Sequence, residues 1–220
     1  MKKIFICLFL LFFCASSISK TDKPDYYKTN KNEFEKVQEY IYTESILDDF
    51  EATAYSNDNL RFSRDGDRDG VLSISNKFPA PVNNSKRYLS VKVYAKMGDK
   101  FQIIPANPIE ITKYCKTISL WVYGEKSAGE LSVMLQDSAG INHILNLGSA
   151  ASNGWKKIST KLGPRIKQNI DYPENKNSIK ILYIQYRATN RSESEWQYFY
   201  IDDISAAVRD KYLDREGDGW

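Results

Sequence analysis

One histidine and three cysteines in 220 residues leave little material for the chemistry those side chains usually carry. His143 has no companion for a His-rich zinc site. No G-x-S-x-G, Walker A or G-x-G-x-x-G sequence is present to expose a nucleophile or cradle a phosphate. Charge of one sign is lacking as well, since 31 basic residues stand against 28 acidic ones, and a nucleic-acid footprint needs a basic excess. Beyond the N-terminus no apolar stretch approaches the roughly 18 residues of a membrane-spanning helix, and no internal repeat or low-complexity tract interrupts the chain.

What the sequence does have is the composition of a packed domain: 42% apolar, 27% charged and 13% aromatic residues. Lys2 and Lys3 precede an apolar run from Ile4 to Phe13, followed by the small residues Ala15, Ser16, Ser17 and Ser19. That is the layout of a secretory signal, so residues 1–19 are expected to be removed. Losing the two lysines leaves 29 basic residues against 28 acidic. Cys7 and Cys14 leave with the signal, so Cys115 remains alone and is expected to be a buried apolar residue without an intrachain disulfide. A lipoprotein signal ending at Cys14 would want small residues where Phe12 and Phe13 stand.

Residues 20–44 read as a polar N-terminal arm leading into a short helix, with Phe34, Val37, Tyr40 and Ile41 at helical spacing and an end near Thr43. From Ser45 the period changes to two. Leu89, Val91, Val93 and Ala95 alternate with Ser90, Lys92 and Tyr94, and similar runs start at Leu72, Ile118, Leu131, His143 and Ile158. Turn residues such as Gly98-Asp99, Gly140 and Asn153-Gly154 separate them. The expectation for residues 45–210 is an all-β antiparallel sandwich of jelly-roll type, followed by a tail over 211–220. One strand breaks the pattern: Ile179, Ile181 and Tyr183 lie on one face and Leu182, Ile184 and Tyr186 on the other, as in a central strand or one packed against an outside partner.

Candidate sites are few. Asp202-Asp203 and Asp48-Asp49 are adjacent acids in extended segments, where neighbours point to opposite faces, so neither pair can flank one scissile bond. Asp65, Asp67 and Asp69, followed by Gly70, reproduce the first half of a calcium loop. The expected bidentate glutamate is replaced by Asn76 and a strand follows, so a solvated turn is expected and no metal or other cofactor is assigned. Trp121, Trp155 and Trp196 are candidates for a sugar-stacking platform or for core and protein contacts. Tyr26, Tyr27, Tyr212 and Trp220, in the two arms, are candidates for partner contact.

The segments Leu120-Trp-Val-Tyr-Gly124, Gly129-Glu-Leu-Ser-Val-Met-Leu-Gln-Asp-Ser-Ala-Gly140, Leu147-Gly148, Gly154-Trp155-Lys156 and Tyr198-Phe-Tyr-Ile-Asp-Asp-Ile204 resemble the spirochaete flagellar filament outer-layer protein A family, and within it the shorter sheath paralogue. The resemblance runs over about residues 45–212. It implies a non-enzymatic sheath subunit on the periplasmic flagellum, deposited in repeated copies around flagellin-like core proteins beside other sheath proteins. Filament stiffness or curvature, and so motility, would be its concern. The same motifs occur in carbohydrate-binding jelly rolls, which makes a secreted sugar-binding module, stacking on Trp121 or Trp196, the alternative.

Overall fold

A computed structural model describes residues 42–62, 69–124, 129–168, 178–189 and 193–210. All of them belong to the second of two compact units, Tyr40–Trp220; the first, Met1–Glu39, lies outside them. The expected secretory signal and most of the expected helix therefore also lie outside the described residues, as do Tyr26, Tyr27, Asp65, Asp67, Tyr212 and Trp220. Where that helix was expected to end, Thr43 instead opens a strand.

Two antiparallel sheets of six strands each make up the domain. The first contains β1 (Thr43–Asp48), β3 (Asp69–Ser75), β4 (Tyr88–Ala95), β7 (Tyr114–Tyr123), β10 (Lys156–Lys161) and β12 (Glu195–Arg209). Its order is β10-β7-β12-β4-β3, with β1 also on β12. The second contains β2 (Leu60–Phe62), β5 (Lys100–Ile103), β6 (Ile109–Ile111), β8 (Gly129–Gln136), β9 (Asn142–Ser149) and β11 (Ile179–Ala188). There the order is β2-β5-β11-β8-β9, with β6 also on β11. Among the described residues the only helical turn is a short 3-10 segment, Asn57–Asn59, capped by Ser56.

Alternation decides which side chains meet. Leu89, Val91, Val93 and Ala95 of β4 and Leu131, Val133 and Leu135 of β8 point between the sheets and are all but inaccessible to water. Tyr186 stacks on Phe199 from the other sheet, ring centroids 4.5 Å apart, and its hydroxyl bonds Gln197. A side chain at Gly129 would run into the Tyr186 ring, so this glycine is required for close approach rather than for a turn. Cys115 is fully buried at the foot of β7, as expected.

The two-faced strand is resolved by a bulge. β11 pairs Ile181 with Leu135 and then Tyr183 with Met134, leaving Leu182 as the extra residue. The phase changes there, so Ile179, Ile181, Ile184, Tyr186 and Ala188 all face the core. β11 is central, with β8 on one side and β5 and β6 on the other.

Candidate functional site

The long strand β12 carries the last of the quoted motifs and organises the outer face of the first sheet. Its first half pairs with β4 and its second half with β1 on the same side, while β7 runs along the other. At the change of partner the strand bulges, and Asp203 takes a left-handed φ of 42°. The bulge alters the expectation for the acidic pair. Neither carboxylate faces water: Asp202 is 0% exposed and Asp203 2%.

Both acids hold the connection between β3 and β4, residues 76–87, against the outer face. Asp202 accepts hydrogen bonds from the Ala80 N–H at 3.1 Å and the Ser85 hydroxyl at 2.7 Å, and Asp203 accepts one from the Asn83 amide at 2.6 Å. Asn83 and Asn84 adopt the left-handed conformation that lets the loop turn back. Burial pushes the Asp202 carboxyl up to about 6, although the Ser85 and Ala80 bonds pull it down. Burial also raises Asp203, with the carboxylates of Asp49, Glu44 and Glu51 adding to the effect against the Asn83 bond.

The clasped loop forms one wall of a cleft of about 390 Å³, lined by Phe78, Pro79, Pro81, Tyr123, Trp155 and Tyr200. Tyr123 and Tyr200 are paired across β7 and β12, on the face opposite the buried Val122 and Ile201. Their ring centroids are 5.6 Å apart. Trp155 lies 5.9 Å from Tyr123 and 5.8 Å from Tyr88, which in turn lies 5.1 Å from Tyr200. The Trp155 indole N–H donates to the Phe78 carbonyl at 3.0 Å, tying the loop to the far wall. Phe78 itself is 65% exposed. Three separate motifs thus converge here: Tyr123 from the first, Trp155 from the Gly-Trp pair and Tyr200 from the last. Sequence reasoning singled out Trp155 but not Tyr123, Tyr200 or Phe78, since nothing local signals that they meet.

The three candidate tryptophans do not form one platform. Trp155 belongs to the cleft. Trp121 stands opposite Asp202 and Trp196 opposite Tyr94, so along β12 their positions are six residues, or about 20 Å, apart. The Lys92 ammonium sits 4.2 Å over the Trp196 ring, occupying a face that a sugar would need.

The remaining candidates have structural partners. His143 is half-buried, in phase with Leu145 and Leu147, and its Nε2 lies 2.9 Å from Asp137 Oδ2. Asp137 also accepts the N–H groups of Ala139 and Ile141 at 2.9 Å, closing the turn before Gly140. Burial would raise the Asp137 carboxyl, but the His143 and backbone bonds outweigh it and hold it below the usual range. Asp48 accepts the Tyr55 hydroxyl at 2.6 Å and the Phe50 N–H at 3.0 Å. Asp69 opens β3 with its carboxylate on the Gly70 N–H. Among the described residues no group of three or more His, Cys, Asp or Glu side chains is placed to hold a metal ion.

Comparison with solved structures gives likenesses of fold at low identity. A family 11 carbohydrate-binding module of a Clostridium thermocellum cellulosomal cellulase matches 77% of this chain and 97% of its own, with a TM-score of 0.49 and 14% identity. The family 22 xylan-binding domain of Paenibacillus barcinonensis Xyn10C matches 77% and 98%, with a TM-score of 0.41 and 13% identity. In sequence, a flagellar filament outer layer-like protein of Brachyspira hyodysenteriae is 27% identical over 200 residues, which cover 85% of this chain and 89% of that protein. Residues 55–216 match the family described as flagellar filament outer layer protein FlaA. That span takes in every described strand but β1 and every wall of the cleft, and on it the chain belongs to the flagellar filament outer layer protein family.

Proposed function

We infer that this chain is a non-catalytic structural subunit of a periplasmic flagellar sheath. It is exported, laid in repeated copies over a flagellin-like core beside other sheath proteins, and contributes to filament stiffness and curvature and so to motility. The observation that carries this reading is the outer face of the first sheet. Tyr123, Trp155, Tyr200 and the exposed Phe78 present aromatic surface beside a cleft held open by buried hydrogen bonds. Rigid aromatic side chains bury large area at low entropic cost, the property expected of a surface that binds protein along a filament.

Periplasmic filaments isolated and washed with detergent test the reading. The chain should remain in amounts comparable with the core subunit. A variant carrying Tyr123→Ala and Tyr200→Ala should keep its folded circular dichroism signal yet be retained at least about tenfold less, the loss expected when two interface aromatics go. Trace retention of the wild-type chain would overturn the sheath assignment, and equal retention of the variant would remove the cleft from it.

A further inference from the structure

The second sheet carries a different chemistry on its outer face. Strand register aligns Arg61, Gln102, Gln185, Ser132 and Asn146 in one row across β2, β5, β11, β8 and β9. They lie on the face opposite the buried Phe101, Val133, Ile184 and Tyr186. At a strand spacing of about 4.8 Å the row is about 19 Å long. β2 and β9 end the sheet path, so no further described strand closes the row at either side.

Gln185 differs from its neighbours in depth. It is 8% exposed, yet among the described residues its side chain makes no hydrogen bond. No enclosed side-chain nitrogen or oxygen among those residues lacks a partner, so the amide is the part of Gln185 that water reaches. Its stem is covered and its head opens onto the face, offering a donor and an acceptor that the described residues leave unused. Gln102 and Ser132, on either side of it, also make no side-chain hydrogen bond among the described residues.

The next row along the strands is apolar. Tyr183, Met134 and Ile144 are paired across β11, β8 and β9, and Ile144 is 54% exposed. Beyond them lies a second polar row, Lys180, Gln136 and Asn142, beside a pocket of about 330 Å³ that Glu110 and Ser178 also line. Charges at the margins are paired, Lys180 with Glu110 at 2.8 Å and Arg187 with Glu130. An apolar strip between two hydrogen-bonding rows fits a ligand with C–H faces and a rim of hydroxyls, the chemistry of a pyranose ring. Amide and serine side chains both donate and accept, as sugar hydroxyls do. Paired margins favour an uncharged ligand, and a row open at both ends takes the middle of a chain rather than its tip.

We propose that the outer face of the second sheet binds the interior of a linear, uncharged glycan, with Gln185, Gln102 and Ser132 bonding its hydroxyls and Tyr183 beneath a ring face. The aromatic cleft lies on the other sheet, so this role goes beyond the sheath reading and does not rest on it.

The full chain is screened on an array of neutral oligosaccharides, and those that bind are titrated by calorimetry. Binding should saturate and strengthen with chain length from disaccharide to hexasaccharide. Tyr183→Ala should weaken it at least tenfold, and so should Gln102→Ala, which removes a surface amide without a partner and should leave the melting temperature unchanged. The cleft variant carrying Tyr123→Ala and Tyr200→Ala should bind the same oligosaccharide as the wild type does. A silent array, affinity independent of length, or unchanged binding by Gln102→Ala overturns the proposal. A silent array together with loss of the two face variants from washed filaments would make this a protein-binding face and overturn it as well. Retention of the wild-type chain on filaments is read separately and bears on the sheath reading alone.

Discussion

Asp202 shows how one residue joins stability to the site. Its carboxyl, pushed up to about 6 by burial, keeps its proton more readily in the folded chain than in the unfolded one. Between the ordinary carboxylate value and pH 6 the native state therefore binds more protons, and stability rises as pH falls through that window. The melting temperature should be higher at pH 5 than at pH 7, by the equivalent of about 1 kcal/mol. It should turn down below about pH 4, where Asp137 and Glu44, held below the usual range, begin to protonate. Asp202→Asn, still able to accept the Ala80 and Ser85 bonds, should flatten the rise; a wild-type curve that is level or falling from pH 7 to 5 would contradict this account. Cys115 lies at the other extreme. Burial pushes its thiol up to about 12, so a maleimide should leave the native chain unmodified for hours and react fully in denaturant. Rapid native labelling would place the thiol at the surface and contradict its burial.

Among the elements, bulges matter more than strands. In β11 the extra residue Leu182 shifts the phase so that Ile184, 2% exposed, enters the core while Leu182 stays half-covered. Ile184→Ala should therefore destabilise the domain by about 2–5 kcal/mol, and Leu182→Ala by a clearly smaller amount, both read from denaturant midpoints. Equal losses would mean that the phase does not change at Leu182. The bulge in β12 acts differently, because it brings two adjacent acids to one loop. Asp202→Ala leaves the Ala80 N–H and Ser85 hydroxyl without their acceptor and frees the wall of the cleft. Proteolysis should then cut within residues 76–87 about five- to thirtyfold faster, as an opening free energy lowered by about 1–2 kcal/mol implies; an unchanged rate would show that the loop is held by other contacts.

At the scale of the whole molecule, two faces with different chemistry share one core. The first sheet carries the aromatic cleft and the Lys92–Trp196 contact on its outer side. On the second, pairs such as Arg187 with Glu130 and Lys180 with Glu110 face water, exposed partners of small energetic value. The same asymmetry separates the ends. Thr43 pairs with Val208, so β1 begins and β12 finishes at one pole, while Tyr123 and Tyr200 lie toward the other.

Much of this was legible in the amino-acid sequence because it depends on local rules. Period-two alternation through β4, β7 and β8 set which side chains face the core, since a pleated strand sends neighbours to opposite sides whatever lies around it. The family, too, could be seen in motifs such as Tyr198-Phe-Tyr-Ile-Asp-Asp-Ile204. Short strands such as β2, β5 and β6, of three or four residues, are too brief for alternation to register. The bulges at Leu182 and Asp203 were also hidden, because an extra residue is defined only by the partner strand it fails to match. The cleft depended most on the tertiary structure. Phe78, Tyr123, Trp155 and Tyr200 are spread over more than a hundred residues, and only long-range strand pairing, together with a loop held by two buried carboxylates, brings them to one place.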